Sequence, residues 1–381
     1  MSEWKEYKLG EAADISTGYA FKGDEYEFKG KLRVVRGENV TIGNLRWDSE
    51  KFWNNNTDAL QLYFLQEKDI VIGMDGSRVG HNRAKIKVQE LPLILAQRVA
   101  RLRAKDIFDQ DFIWYHIFSD SFKDYVEAIH TGTSIPHISQ KQIADFEIKA
   151  PSSKTEQTAI ASILSSLDDK IDLLHRQNAT LEKMAETLFR QWFVEEAKEE
   201  WEEGKLSYFA DFFNGKSRPN ELGTIPIYGG NGILGYTNKS NYFGKSIIVG
   251  RVGAYCGSLY YENKEIWVSD NALLVKPKFD NTTHFLFYLM KTLDLNSMAE
   301  GSSHPLLTQT LLKSIEILIP PIQKVNEFDK LVEDIRIKID SNNNQIRTLT
   351  SMRDSLLPKL MSGEVRVVSE LRLSEHDLKR L

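Results

Sequence analysis

The sequence repeats itself in order, and that restricts the fold to two similar modules on one frame. Residues 8–18 match residues 205–215, an offset of 197. Ile70-Val71-Ile72-Gly73 returns as Ile247-Ile248-Val249-Gly250 at 177, Gly132-Thr133-Ser134 as Gly301-Ser302-Ser303 at 169, and Lys170-Ile171-Asp172 as Lys338-Ile339-Asp340 at 168. The offset therefore changes inside the globular parts and is nearly constant in the helical parts. Variable loops on a constant scaffold are where recognition usually sits.

Each half ends in a long helical pattern. The first opens after Pro151, where Ser153 and Glu156 have the spacing of a capping box. Its heptad seam runs Ile160, Leu164, Leu167, Ile171, Leu174, Asn178, Leu181, Ala185, Leu188, Trp192. The second opens after Pro320-Pro321 with the seam Phe328, Val332, Ile335, Ile339, Asn342, Ile346, Leu349, Arg353, Leu356, Leu360, and Gly363 is its expected stop. So narrow an apolar stripe needs a partner, and the nearest is the other helix of the same chain; docking onto another protein is the competing reading. Asn178 and Asn342 are polar seam residues, which restrict register at a cost in stability.

The modules mix short β-type runs (residues 32–35, 69–72, 225–228 and 246–249) with helix-like stretches at 111–118 and 284–290. The expected class is α+β, with a largely antiparallel sheet in each module. The expected divisions are 1–151, 152–196, 197–321, 322–363 and a tail over 364–381.

Composition narrows the function. No run of about 18 apolar residues appears, so no transmembrane helix is expected. The polar start and single cysteine, Cys256, fit a cytoplasmic chain with no internal disulfide framework and no Cys-rich zinc site. A net charge of −5 does not announce a nucleic-acid binder, although residues 205–320 hold 11 Lys/Arg against 9 Asp/Glu. The acidic cluster at 195–203 reads as a solvated face or linker.

Catalytic signatures are missing. There is no P-loop run and no Gly-x-Ser-x-Gly elbow, and the eight histidines show no metal-ligand spacing. Gly73, Gly76 and Gly80 lack dinucleotide-site spacing and read as a strand-ending turn. The lone Pro-Pro reads as a helix start rather than part of an amino-methyltransferase motif. The chain is expected to have no catalytic residues, no metal ligands and no cofactor of its own.

Candidate recognition residues come in pairs across the repeat. Arg36 and Asn39 lie about where Tyr228 and Asn231 lie, and Ser77 and Arg78 follow the strand whose counterpart precedes Arg251 and Tyr255. Arg can bond guanine edges and Asn adenine. Thr133, Ser134, Ser302 and Ser303 could donate to phosphates. Each loop taken alone also reads as a plain turn.

With these residues laid out, the chain resembles the specificity subunit of type I restriction–modification systems over nearly its full length. The resemblance rests on the two-fold repeat and on module ends 145–151 and 314–321, each entering a heptad helix. It also rests on the start of a recognition domain at 225–232 and the end of a second helical region at 355–365. It implies two pseudo-repeated α/β target-recognition domains joined by two long antiparallel coiled-coil helices. Each domain would read half of a bipartite, asymmetric site in double-stranded DNA. The helices would set the gap and recruit two methyltransferase subunits. S-adenosylmethionine, ATP and Mg would belong to those subunits and to restriction subunits, not to this chain. A helix over 157–193 would be about 55 Å long at about 1.5 Å per residue, or roughly 16 base pairs at about 3.4 Å each.

Overall fold

The computed structural model describes residues 2–129, 136–198, 201–301 and 305–367. The chain forms two compact units, and the division does not follow sequence order. One unit is Met1–Asp172 with Ile346–Leu381, the other Leu173–Gln345. Each module is thus packed with parts of both long helices.

In the first unit, strand Trp4–Lys8 pairs antiparallel with Glu147–Pro151, Trp4 opposite Pro151, so the module's two ends are joined. The five-stranded sheet has the order Ala13–Thr17, Val99–Ala104, Ile70–Gly73, Arg83–Lys85, Ile42–Gly43, antiparallel except for its last pair. A short parallel pair, Arg33–Val35 with Leu93–Leu95, lies beside it. Helix Gln110–Phe118 is capped by Asp109, whose side chain accepts from Phe112 N at 2.9 Å. That helix is apolar nearly all round because it is buried: Phe112, Ile113, Tyr115 and Ile117 are fully enclosed. They share one core with Ile70, Ile72 and Leu102 of the sheet, with Ile160 and Leu164 of the first long helix, and with Leu357 and Leu360 of the second.

The second unit repeats this plan with a four-stranded main sheet. Glu202–Lys205 pairs antiparallel with Glu316–Ile319. The sheet order is Ala210–Asn214, Ala272–Pro277, Lys245–Gly250, Leu259–Asn263, antiparallel throughout. The parallel pair recurs as Ile227–Tyr228 with Trp267–Val268. Helix Thr283–Thr292 takes the place of Gln110–Phe118. Its core includes Ala185, Phe189 and Phe193 together with Val325, Phe328 and Val332.

The long helices are Lys154–Arg190, continued by a wider turn over Gln191–Glu195, and Ile322–Ser362. Gly363 ends the second at φ +78, with Trp4 packed where a side chain would stand. The helix segments run antiparallel within each unit. In the second, Asn178 bonds Asn342 and Asn343 (2.8 Å each), Glu182 bonds Arg336, and Glu196 pairs with Lys324 at 3.4 Å. In the first, Glu156 pairs with Arg366 at 2.8 Å and Asp168 with Arg353 at 2.9 Å. Seam residues Leu164, Leu174, Val332, Ile339 and Asn342 are buried, and Leu167, Ile171, Asn178, Leu181, Ile335, Ile346 and Leu349 are half-buried.

Two local expectations change. Ser153 Oγ accepts from Glu156 N at 3.4 Å, but the Glu156 carboxylate goes to Ser2 and Arg366, so only half of the capping box forms. Glu202 and Glu203 are exposed as expected, yet they begin the strand that closes the second module and are not linker.

Candidate nucleic-acid interface

Both modules bring three segments to one end of the sheet through the same backbone bonds. In the first module, Met74 N donates to Arg98 O (3.0 Å), Ile138 N to Met74 O (3.0 Å) and Gly76 N to Pro136 O (3.0 Å). In the second, Arg251 N donates to Asn271 O (3.1 Å), Leu307 N to Arg251 O (2.9 Å) and Gly253 N to Pro305 O (3.3 Å). The turn that follows is also shared: Val79 N donates to Gly76 O and Cys256 N to Gly253 O, at 3.1 and 3.0 Å. The fourth segment is fixed alike, by Ala96 N to Val35 O and Ser269 N to Tyr228 O.

Glycine is needed at matched points of this frame. Gly76 and Gly253 have φ of +99 and +70, and Gly80 and Gly257 have +81 and +87. A Cβ on Gly80 would meet Val126 at 2.8 Å, and one on Gly257 the Asn296 nitrogen at 2.9 Å. Open sequence spacing hid this, since these glycines match no phosphate-loop pattern. Their role is backbone geometry.

On the frame the side chains differ. Ser77 and Arg78 stand exposed at the tip of the first module, where Ala254 and Tyr255 stand on the second. Among the described residues no acidic side chain pairs with Arg78. Asn231 is exposed in the tight turn between strands Ile225–Gly229 and Gly232–Thr237. Arg251 takes the place of Met74 and not of Arg78. It is half-buried, with Nη1 donating to Asn214 Oδ1 at 3.2 Å.

Three candidates are corrected. Asn39 is 1 % exposed, and its amide is spent inside the module: Oδ1 accepts from Arg36 N (3.0 Å) and Nδ2 donates to Arg46 O (3.1 Å). It shapes a turn and cannot reach a base. Tyr228 is buried, with its hydroxyl donated to Glu262. Burial first, then that carboxylate, pushes its phenol well above the usual range. Arg36 is half-buried and engaged by Glu38, by Ser49 O at 2.8 Å and by the Tyr26 ring at 5.5 Å. Thr133, Ser134, Ser302 and Ser303 lie outside the described residues.

Sequence reasoning missed Asp75, Arg98 and His137. Asp75 accepts from both Arg98 and His137. Burial alone would raise its carboxyl; the bonds from Arg98 and His137 outweigh that and hold it below the usual carboxylate range. Arg98 has φ +64, and its side chain is 68 % exposed. A left-handed residue other than glycine costs roughly 1–2 kcal/mol. A surface ion pair returns roughly 0–1 kcal/mol, so the pair with Asp75 adds little to stability. No spacing rule ties residues 75, 98 and 137 together; only the folded loops do.

Among the described residues no cluster of three or more His, Cys, Asp or Glu is placed to hold a metal ion, and no helix is long and apolar enough to cross a membrane.

What the fold and this end of the sheet define is a duplicated module carrying variable loop tips on a shared backbone frame. Comparison with known sequences places the frame: the chain belongs to the type I restriction modification DNA specificity domain family, whose pattern matches residues 1–183 and 198–351. It is similar to the type I restriction enzyme MjaIX specificity subunit of Methanocaldococcus jannaschii, 26 % identical over 74 % of this chain and 75 % of that one. It is also similar to the EcoprrI specificity subunit of Escherichia coli, 23 % identical over 64 % and 68 %. Among solved structures, the type I restriction–modification S subunit from M. genitalium has the same fold, with a TM-score of 0.66 and 22 % identity over 94 % of this chain and 96 % of that one.

Proposed function

We propose that the chain is the DNA-sequence specificity subunit of a type I restriction–modification complex and is not catalytic alone. Each module reads one half of a bipartite, asymmetric site in double-stranded DNA. The observation that carries this is the matched pair of frames: the same backbone bonds recur in both modules while the exposed tip residues change from Ser77-Arg78 to Ala254-Tyr255.

The long helices act as the spacer and as the docking surface for two methyltransferase subunits. Those subunits bind S-adenosylmethionine and methylate adenine N6. Restriction subunits with ATP and Mg join through them, in the cytoplasm. The net charge of −5 suits a reader whose partners supply many of the phosphate contacts.

The test is DNA binding by the chain with its methyltransferase partner, measured against salt. Specific binding that weakens as salt rises supports the reading. Absence of DNA binding at low salt would reduce the chain to an interaction scaffold. Methylation of DNA by the purified chain alone with S-adenosylmethionine would make it an enzyme and overturn the non-catalytic role.

A further inference from the structure

We propose that Arg98, oriented by Asp75 and His137, is a guanine-reading side chain of the first module, and that Asn271 holds the equivalent reading position in the second. This rests on the DNA-reading function proposed above and deepens it to named residues and a base class.

The two residues accept a matching backbone bond, although only Arg98 has a left-handed φ. Arg98 O and Asn271 O accept the matching bonds from Met74 N and Arg251 N. Both side chains are exposed at the rim formed by the converging segments. Around them the two modules differ: Asp75 and His137 of the first stand where Val252 and Leu306 stand in the second, in matched bridges between the same two segments. The acidic buttress is therefore present where the reader is an arginine and absent where it is an asparagine.

The buttress has a definite geometric effect. Asp75 engages Nη1 of Arg98. Nε and Nη2 form no bond within the protein among the described residues, and the side chain is 68 % exposed. Two donors on a guanidinium held from its far side suit the O6 and N7 acceptors of guanine in the major groove. His137 bonds the other carboxylate oxygen, so Asp75 cannot swing away. Fixing a long, flexible arginine in advance reduces the ordering cost on binding. The left-handed backbone at Arg98 fits the same account, since strained residues gather at functional sites. Asn271 offers the donor and acceptor that pair with adenine.

The experiment uses the full chain in its complex with the methyltransferase subunits. The methylated motif and relative affinities are measured for DNA substituted at each position of the site. Arg98→Asn keeps a residue type that tolerates left-handed backbone. It is expected to lower discrimination at one guanine of the first half-site by about ten- to a hundredfold, with the second half-site unchanged. Arg98→Lys keeps the charge without the planar fork and is expected to weaken the guanine preference at that position less than Arg98→Asn does, since lysine also bonds guanine edges. Asp75→Asn should relax that same position without weakening binding to unrelated sequences, since it removes a carboxylate facing the phosphates; a merely structural role would weaken binding to every sequence equally. If the parent complex is sequence-specific and Arg98→Asn and Arg98→Lys leave discrimination at every position intact, the inference is overturned and the reading function stands. If the parent shows no sequence preference, the reading function fails and the inference falls with it.

Discussion

Asn39 and Arg98 show how residue type and role part company. Asn is the adenine reader by chemistry, yet Asn39 is enclosed and both ends of its amide are bonded to backbone. Replacing it with Ala removes both bonds at an enclosed position, and a typical intramolecular hydrogen bond is worth about 0.5–1.5 kcal/mol. Asn39→Ala is therefore expected to lower the urea midpoint of the first unit and to leave the recognised DNA sequence unchanged. A changed sequence with unchanged stability would restore Asn39 as a reader. Gly80 is a second residue whose role is structural. With φ +81 and Val126 against the missing Cβ, Gly80→Ala should destabilise by about 1–3 kcal/mol from the backbone and overpacking together. Thermal unfolding of the two chains side by side would show it. None of this is visible in sequence, because burial of one Asn and exposure of one Arg follow from loops that meet only in the folded module.

The long helices were the most legible elements. Their heptad period, their starts after Pro151 and Pro321 and the stop at Gly363 were all open to reading, because a 3.5-residue period and terminal Pro and Gly are local signals. The main strands and the buried helices Gln110–Phe118 and Thr283–Thr292 could also be read from their apolar runs. What could not be read was which parts of the two helices meet which module, since that pairing is non-local. It produces two polar clamps: Tyr115 and Arg353 on Asp168, and Tyr288 and Arg336 on Glu182. In both, the acid belongs to the first helix and the base to the second, although Asp168 and Arg336 occupy equivalent positions of the repeat. The halves are thus complementary rather than interchangeable. Arg336→Glu would set two carboxylates together at a largely enclosed position and should cost about 3–5 kcal/mol. Adding Glu182→Arg should recover part of it; a double-mutant cycle showing no coupling would remove the clamp.

One helix also sets a pH limit. Burial lowers the pKa of His116 from 6.5 to about 4, although its bond with Lys149 O at 3.0 Å opposes the shift. The folded state keeps this ring neutral while the unfolded chain takes up a proton below about 6.5. Its contribution is therefore complete above pH 6.5 and is lost as pH falls through about 4, about 3 kcal/mol at most. Glu156 acts lower. Burial would raise its carboxyl, but Arg366 and Ser2 hold it at about 2, so its contribution is present above about 4.5 and lost as pH falls toward 2. Melting His116→Gln against the parent from pH 7 to 4 should show a flatter decline in the variant. Parallel declines would contradict the assignment.

At the scale of the whole molecule, the repeat separates what is kept from what varies. The helices and the backbone bonds of the loop frame are kept; the insertions before Ile70 and the tip residues vary. If the helices are the spacer, inserting one heptad at matched positions of both should lengthen the gap between half-sites and change neither half. An unchanged gap would remove the spacer role. The most direct measurement of the central claim is a map of methylated adenines in cells that carry the partner subunits, with either the parent chain or one whose residues 1–151 come from another member of the family. A split, asymmetric motif is expected for the parent, and in the exchanged chain a new first half joined to the original second half. Change in both halves, or in neither, would contradict it.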